Sequence, residues 1–272
     1  MAELLSWLKE RAKDDLLLWA DQLSAANRFK ISVREVEGVA LENGLLPARY
    51  QRNRNMFCLD DQLKFYRSKV TVIGCGGLGG YIIEELARLG VGTIVAVDPD
   101  VFEEHNMNRQ LLATPDFLGI KKVAAAARRV DRVNPAVELL PVGLAFSRDN
   151  GKQILEGSQV AVDALDSIAV RLELAEVCQD LGIPLVHGAI AGWYGYLMTQ
   201  FPGERTLQKF FSHNSQEGGL EKQLGNPSFT PAVVASLEVA EACKILLNRG
   251  TLARRRCLSI DLYDMEFVEI EC

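Results

Sequence analysis

Through the middle of the chain, apolar runs typical of buried strands alternate with the apolar spacing typical of helices. Short apolar runs that fit buried strands, KVTVIG from residue 69 and TIVAVD from residue 93, flank the helical pattern YIIEELARLG. Further strands are predicted in VELLPV, QVAVDAL and PLVHGAIAG, with helices over residues 121–133 and in IAVRLELAEVCQDLG. Strands that alternate with helices predict an α/β fold of the Rossmann-like type, with a doubly wound, mostly parallel sheet.

Residues 1–48 have a different pattern. Leucines at helical spacing predict a first helix, and SVREVEGVALENG predicts a second one. Ser32 and Glu35 fit a capping box at its start, and Gly44 fits its end. We therefore predict a small helical N-terminal extension, which serves either as a packing or dimer-contact element or in partner recognition.

The last quarter of the chain combines strands, a polar stretch and a helix. YLMTQF predicts a strand, PAVVASLEVAEACKILLN a helix, and CLSIDLYDMEFVEIE two strands around an acidic turn. Between them, residues 202–227 are polar and rich in glycine, with a short apolar patch at Leu207, Phe210 and Phe211. We interpret that stretch as a mobile loop.

Composition narrows the class of protein. A formal net charge of −6 and a pI near 5.3 argue against nucleic acid or anionic lipid as general partners. The longest apolar stretches are strand-sized and the first 19 residues carry charges throughout, so we expect no membrane span and no secretory signal. Six scattered cysteines without a CxxC pair predict reduced thiols, no structural zinc and a cytoplasmic protein.

A glycine motif points to a nucleotide. Gly74, Gly76 and Gly79 form GxGxxG between a predicted strand and a predicted helix, with Gly77 inside the motif. This context supplies a tight turn and helix-end N–H groups for phosphate. Asp98 ends the next strand, 19 residues after Gly79, where a carboxylate can bind ribose hydroxyls. By itself the motif would favour NAD or FAD.

The segment DPDVFEEHNMNRQ places polar groups just beyond that second strand, where ligands bind in open α/β sheets. These groups are Asp98, Asp100, Asn106, Asn108 and Arg109, followed by Lys121 and Lys122 at the next helix. Phosphoryl and nucleotidyl transfer need such cations, because charge develops on phosphate oxygens. A dehydrogenase does not need them, although solvated surface charge is the plainer explanation for each cation taken singly.

Together these segments resemble, in order, the MoeB/ThiF/HesA family of adenylating enzymes, bacterial relatives of ubiquitin-activating enzymes. The resemblance covers roughly residues 47–250 and rests on GCGGLGG, VDPDVFEEHNMNRQ, GIKKV, NPAVEL, VAVDALDS, VRLELAEVC and IPLVHGAIAGWYG. It implies a homodimer whose ATP-binding adenylating domain spans residues 49–272. It further implies ATP-dependent adenylation of the C-terminal carboxylate of a ubiquitin-like sulfur carrier ending in Gly-Gly, of the thiamine or molybdopterin type, with release of pyrophosphate.

The resemblance also implies roles for single residues. RYQRN at residues 49–53 is similar to the family's RYxRQ element, which makes Arg52 a candidate arginine finger for the ATP of the other subunit. Asp166 resembles the carboxylate beside Mg²⁺ and the reacting groups, and one or two protein carboxylates suffice for Mg²⁺ on ATP. Asp163 is a packing residue or a helper. The predicted catalytic residues are Arg52, Arg109, Lys122 and Asp166, and the predicted nucleotide-binding residues are Gly74, Gly76, Gly77, Gly79, Asp98, Asp100, Asn106, Arg109 and Lys122.

The sequence departs from the family at its cysteines. Thr206 and Lys209 stand where the first zinc-binding CxxC pair would be, and the crossover loop SHNSQEGGLEKQLGNPSFTP contains no cysteine. Adenylation needs neither, since the substrate carboxylate itself attacks the α-phosphate. A covalent sulfur-transfer step on this chain is therefore in doubt. We expect Cys75 and Cys243 to be packing residues, and Cys272 to be the most accessible thiol.

Several alternatives stay open at this point. His187 is either a structural histidine or a contact for the acyl group, and Trp193 and Tyr194 either pack or line a channel for a slim Gly-Gly tail. The enzyme could instead adenylate a small or tRNA-borne carboxylate, or be an NAD-dependent oxidoreductase. A non-catalytic nucleotide-binding scaffold is a further alternative, but it would not need the polar set that the resemblance implies.

Overall fold

The computed structural model describes residues 2–213 and 224–271. The helices are α1 Ala2–Arg11, α2 Trp19–Phe29, α3 Val33–Glu42, α4 Leu59–Arg67, α5 Gly77–Leu89, α6 Lys122–Val133, α7 Arg148–Leu155, α8 Ile168–Leu181, α9 Thr206–His213 and α10 Phe229–Leu247. The strands are β1 Leu16–Leu17, β2 Leu46–Pro47, β3 Lys69–Ile73, β4 Thr93–Val97, β5 Glu138–Val142, β6 Val160–Asp163, β7 Leu185–Ala191, β8 Tyr194–Gln200, β9 Arg256–Asp261 and β10 Glu266–Glu271.

The main sheet has the strand order β10-β9-β8-β7-β6-β3-β4-β5. Strands β5, β4, β3, β6 and β7 are parallel, and β8, β9 and β10 extend the sheet with antiparallel pairs. This confirms the predicted Rossmann-like, mostly parallel sheet. The chain runs outward from β3 to β5 and then resumes at β6 on the other side of β3. The switch point of the topology therefore lies between β3 and β6, where open α/β sheets bind ligands.

Two apolar cores cover the two faces of the sheet. Along β4, Ile94 and Ala96 pack in the core under α5, α6 and α10, whereas Val95 and Val97 pack in the core under α7 and α8. Because both faces are buried, the parallel strands read as continuous apolar runs. Within residues 2–213 and 224–271, no helix is both long and apolar enough to cross a membrane.

Most of the N-terminal segment is helical, but the first helix predicted there is two helices, α1 and α2, because the short strand β1 at Leu16–Leu17 separates them. Helices α1 to α3 share a small apolar core that includes Leu8, Leu17 and Val36. The capping box of α3 is confirmed: the hydroxyl of Ser32 accepts from the backbone N–H of Glu35 at 3.1 Å, and the Glu35 carboxylate accepts from the N–H of Ser32 at 2.7 Å.

A buried polar network joins this segment to the main sheet domain. Arg49 forms an ion pair with Glu37, donates to the amide oxygen of Asn134 at 3.0 Å, and donates to Gln22 at 2.7 Å. The hydroxyl of Tyr50 donates to Glu37 at 2.9 Å and accepts from Asn134 at 2.7 Å. Burial raises the pKa of Glu37, and the positive charge of Arg49 opposes that rise. The network fixes the 3-10 turn Ala48–Asn53 against the start of the sheet domain.

Within the described residues, helices α4, α7 and α9 have no counterpart among the predicted helices. Helices α4 and α7 are short, and α9 lies inside the stretch that we interpreted as a mobile loop. That interpretation is wrong for Thr206–His213, because Leu207 is fully buried and Phe211 packs on the core under α8. The part of the predicted loop at residues 214–223 lies outside the described residues.

The edge strand β10 is exposed along its whole length. Its sequence, EFVEIE, mixes apolar and acidic residues, and Phe267, Val268 and Ile270 keep about half of their surface in solvent, at 50%, 51% and 46%. Glu266, Glu269 and Glu271 stand among them.

Replacing Glu37 by alanine should destabilise the protein by about 3–5 kcal/mol, because it leaves the guanidinium of Arg49 without its buried partner. Urea unfolding followed by circular dichroism measures the change. The matched control is Glu42→Ala, which removes a surface ion pair with Arg67 and should cost less than about 1 kcal/mol. Equal effects of the two substitutions would contradict a stabilising role for the buried network.

Candidate functional site

A cavity of about 360 Å³ opens at the carboxyl ends of β3, β4 and β6. Ile73 and Val97 form its floor as the last residues of β3 and β4. Its walls come from the loops that follow the three strands, together with Arg109, Lys122 and the segment around Phe146. The cavity therefore lies at the switch point of the sheet and has the size of a small-molecule site.

The glycine loop forms one wall of the cavity through Gly74, Gly76 and Gly77. Gly74 has φ of +101°, a conformation that favours glycine, and a side chain there would overlap the carbonyl of Ala164. Helix α5 begins after Gly76 without a side-chain cap. Its first N–H groups have no partner within the helix, so they are available to an anion.

Gly79 has a different role from the one predicted. It does not line the cavity, and a Cβ at Gly79 would overlap the carbonyl oxygen of Gly74. The absence of a side chain lets α5 approach the end of β3 closely. Gly79 therefore shapes the loop from behind and does not contact the cavity.

Asp98 organises the neighbouring loop. Its carboxylate is buried and accepts from the backbone N–H groups of Cys75 and Asp100, each at 2.8 Å. The Nζ atom of Lys122 lies 3.1 Å from the carboxylate of Asp100 and 3.9 Å from that of Asp98. A carboxylate has more lone pairs than these bonds use, so Asp98 can still accept a ribose hydroxyl.

Arg109 lines the cavity, whereas Asn106 does not. Arg109 donates to the carbonyl of His105 at 3.2 Å and to the side chain of Asn108 at 2.9 Å. Asn106 is buried, and its amide oxygen accepts from the N–H of Glu103 at 2.9 Å. Asn106 therefore holds the turn that carries Arg109, which differs from its predicted position near the phosphates.

The two aspartates after β6 occupy different environments. Asp166 is exposed on the rim of the cavity, as expected for a group that meets a ligand. Asp163 is fully buried and accepts from the N–H of Leu165 at 2.9 Å and from His187 at 2.7 Å. Asp163 was predicted to be either a packing residue or a helper. These hydrogen bonds favour a helper that lies behind the cavity wall.

Arg52 lies apart from the cavity of its own chain. It is exposed on the 3-10 turn Ala48–Asn53, next to the buried Arg49 network, and it is not among the cavity-lining residues. Arg52 could therefore act on a bound nucleotide only at the cavity of another subunit.

The sequence pattern did not indicate all of the residues that line the cavity. Gln110 and Asn226 line the cavity, and the side-chain amide oxygen of each is buried without a hydrogen-bond partner in the described part of the chain. Arg171 also lines it and is 4% exposed. Arg171 gave no clear signal, because its helix also carries Glu173, Glu176 and Asp180. No signal marked Asn226, which lies in the polar crossover segment.

The thiols do not form a reactive site among the described residues. Cys75 and Cys243 are buried, in agreement with their predicted packing role. Burial raises the pKa of Cys75, and it raises the pKa of Cys243 to about 12, so both stay protonated at neutral pH. Cys272 lies outside the described residues. In residues 2–213 and 224–271, no three His, Cys, Asp or Glu side chains cluster as a metal site would require.

An exposed aromatic cluster stands beside the cavity mouth. The ring of Trp193 lies 4.5 Å from that of Phe229 and 5.6 Å from that of Tyr263. Trp193 is 44% exposed and Tyr194 is 42% exposed. The hairpin that carries both residues is tied to the crossover segment, because the N–H of Gly192 donates to the carbonyl of residue 225 at 2.8 Å.

The fold and the cavity together define a nucleotide-binding α/β protein with cations at its phosphate loop. The chain belongs to the ThiF family, whose model matches residues 50–272. It is 36% identical over 210 residues to the SAMP-activating enzyme E1 of Haloferax volcanii, covering 76% of this chain and 78% of that protein. It is 31% identical over 216 residues to the sulfur carrier protein adenylyltransferase of Thermus thermophilus, covering 76% and 80%.

A solved structure shares the fold at low sequence identity. The crystal structure of Escherichia coli MccB with ATP has a TM-score of 0.69 and 18% identity, and the match covers 92% of this chain and 82% of that chain. This likeness concerns the fold alone. It agrees with the Rossmann-like topology described above.

A paired glycine substitution tests the close approach of α5 to β3. Gly79→Ala should lower the midpoint of urea unfolding and weaken ATP binding at least about tenfold, because a backbone carbonyl occupies the place of the new methyl group. Isothermal titration measures the affinity.

Gly80→Ala is the matched control on the same helix. Its Cβ would meet Leu112 at 3.4 Å and Leu111 at 3.6 Å, which are ordinary contact distances, and alanine favours a helix by about 1 kcal/mol over glycine. This variant should bind ATP normally and be at least as stable as the native chain. The same loss in both variants would show that the approach of Gly79 to Gly74 is not the cause.

Proposed function

We propose that this enzyme uses ATP to adenylate the C-terminal carboxylate of a small ubiquitin-like sulfur-carrier protein and releases pyrophosphate. The observation that carries the proposal is the convergence of the glycine loop, Arg109, Lys122 and Asp166 on one cavity at the switch point of the sheet. Membership of the ThiF family and the adenylyltransferases among its relatives support the same reaction. Magnesium, a homodimer and a cytoplasmic location belong to the proposal.

The cavity residues suit ATP. In the proposed complex, the ribose hydroxyls meet Asp98 and the triphosphate lies at the open N–H groups of α5, with Lys122 and Arg109 beside it. Lys122 is 9% exposed on its side chain and now faces two carboxylates. In the ATP complex, phosphate oxygens would replace part of the pairing between Lys122 and these carboxylates. Because the ammonium group is poorly hydrated there, it would interact strongly with phosphate.

Magnesium bound to ATP fits the donors at the cavity rim. Asp100 and Asp166 are exposed carboxylates that line the cavity on two sides. Mg²⁺ prefers oxygen donors, keeps several waters and needs only one or two carboxylates in addition to phosphate. When bound, the ion would neutralise charge on the phosphates, and Asp166 would orient it from the rim.

The chemistry needs position and charge stabilisation. A carboxylate oxygen of the carrier attacks the α-phosphorus, a new P–O bond forms, and the bond to the bridging oxygen breaks as pyrophosphate leaves with its electron pair. The attacking carboxylate is already ionised at neutral pH, so no general base is required. Arg109 and Lys122 stabilise the charge that builds up on the phosphate oxygens, and the rigid loops hold the reactants in line.

The aromatic cluster supports a path for the carrier tail. Trp193, Phe229 and Tyr263 stand at the same edge of the sheet as the cavity mouth, and Ile190 and Asn226 line the cavity between them and the phosphate loop. The unpaired amide oxygen of Asn226 suits a peptide N–H of an extended tail. A Gly-Gly tail is slim enough to approach the backbone there.

The acyl adenylate is the last intermediate that this chain forms in the proposed reaction. Among the described residues, no cysteine lines the cavity, so a sulfur donor on another protein would take over the acyl group.

The first test is ATP–pyrophosphate exchange with purified protein and magnesium, with and without candidate Gly-Gly-ending carriers. Exchange that depends on a carrier supports the proposal, and ATP binding without exchange for any carrier would favour a small or tRNA-borne carboxylate, or a scaffold.

Arg109→Ala should lower carrier-dependent exchange by about 10²–10³-fold, since a single charge-stabilising donor contributes that much to the transition state. Its fold should be intact, because Arg109 lies at the cavity surface and bonds only to neighbouring residues. Arg132→Ala removes an exposed arginine of α6 and serves as the control with unchanged exchange. Near-normal turnover of the Arg109 variant would remove that residue from the reaction.

A mixing experiment tests Arg52 as a residue that acts on the other subunit. Arg52→Ala and Asp166→Asn should each be inactive alone, whereas subunit exchange creates heterodimers with one complete site. The mixture should then recover about a quarter of the native number of sites. No recovery after verified subunit exchange, or full activity of the Arg52 variant, would contradict the trans role.

A further inference from the structure

We infer that His187 is a positioning residue that acts through Asp163 to fix the turn 164–167, which carries Asp166 at the cavity rim. This role in the reaction rests on the proposed function. The geometric part of the inference, the fixing of the turn, depends only on contacts within the chain.

The first link joins strand β7 to strand β6. The Nδ1 atom of His187 lies 2.7 Å from Oδ2 of Asp163, and both side chains have no exposed surface. A carboxylate can only accept hydrogen bonds, so Nδ1 carries the proton of the neutral imidazole. Burial lowers the pKa of His187, and the hydrogen bond to Asp163 opposes that change without reversing it. The histidine is therefore a neutral donor in one fixed tautomer.

The second link joins Asp163 to the turn. The other carboxylate oxygen of Asp163 accepts from the backbone N–H of Leu165 at 2.9 Å. From the opposite side, Nε of Arg171 donates to the carbonyl of Leu165 at 3.1 Å. Both backbone polar groups of the residue before Asp166 are thus held by buried side chains. This double attachment sets the direction in which the Asp166 side chain leaves the backbone.

The third observation concerns what surrounds the histidine. Its ring meets the edge of Phe211 of α9, with centroids 5.7 Å apart, and within the described residues Nε2 has no hydrogen-bond partner. An apolar side chain of similar size would fill this space without leaving a buried nitrogen unpaired. The imidazole is therefore needed for its bond to Asp163 and not for packing. Without that donor, Oδ2 of Asp163 would keep, in the part of the chain that the structure describes, only the ion pair with Arg171 at 3.8 Å, which is longer than a hydrogen bond, so the carboxylate would be held less firmly towards Leu165.

His187→Leu tests the inference by filling the space and removing the donor. We expect the turnover number of ATP–pyrophosphate exchange to fall about tenfold, as is typical when an outer-shell partner is lost, with the KM for ATP changed less than about twofold. Amide hydrogen exchange should become faster in residues 164–167. His187→Asn should restore both properties, because the asparagine amide can donate from nearly the position of Nδ1.

Leu185→Ala is the matched control. Leu185 lies on the same face of β7, two residues earlier, is fully buried, and does not line the cavity. Measured at a temperature where every variant is folded, this control should be less stable but keep the native turnover number and native amide exchange in the turn.

Two results would overturn the inference. One is a His187→Leu variant that matches the Leu185 control in turnover and in amide exchange. The other is a folded His187→Asn variant that stays as impaired as His187→Leu. If the native protein shows no exchange with any carrier, the proposed function fails, whereas the amide exchange of residues 164–167 still decides whether His187 fixes the turn.

Discussion

The carboxylate of Asp98 is the constraint on which the site depends. It receives the N–H of Cys75 from the loop after β3 and the N–H of Asp100 from the loop after β4. Two loops that are far apart in sequence are thereby fixed to one buried group, and Lys122 is held beside them. The glycine loop, Asp98 and Lys122 are thus joined to one another before any ligand binds, which lowers the ordering cost of binding.

A second buried carboxylate repeats this arrangement on the other side of the switch point. Asp163 holds the turn after β6 as Asp98 holds the loop after β4. In both cases the strand ends in an aspartate that faces inward and bonds to backbone N–H groups. The residues proposed to meet the ligand, Asp100 and Asp166, then follow on exposed positions. Asp163 lies behind the cavity wall, whereas Asp98 both holds its loop and lines the cavity, and Asp100 and Asp166 line the cavity at exposed positions.

The sequence predicted the sheet well because parallel strands buried on both faces leave continuous apolar runs, as in β3 and β4. The glycine loop and Asp98 were indicated because they follow strand ends, whereas Arg109, Lys122 and Asp166 were indicated mainly by the resemblance to the family. The sequence could not separate Asn106 and Gly79, which shape the backbone, from residues that line the cavity. That distinction depends on which residues face the cavity once the chain is folded, and local sequence does not give it. Helix α9 was missed because its apolar residues are few and surrounded by a polar stretch.

The open edge strand β10 has a consequence for the behaviour of the protein at high concentration. An edge strand that exposes Phe267, Val268 and Ile270 would invite pairing of one molecule with another and the growth of fibrils. Glu266, Glu269 and Glu271 stand among these residues on both faces of the strand. Two such edges brought together would bury like charges side by side. The glutamates therefore act as gatekeepers that keep an exposed apolar strand from self-assembly.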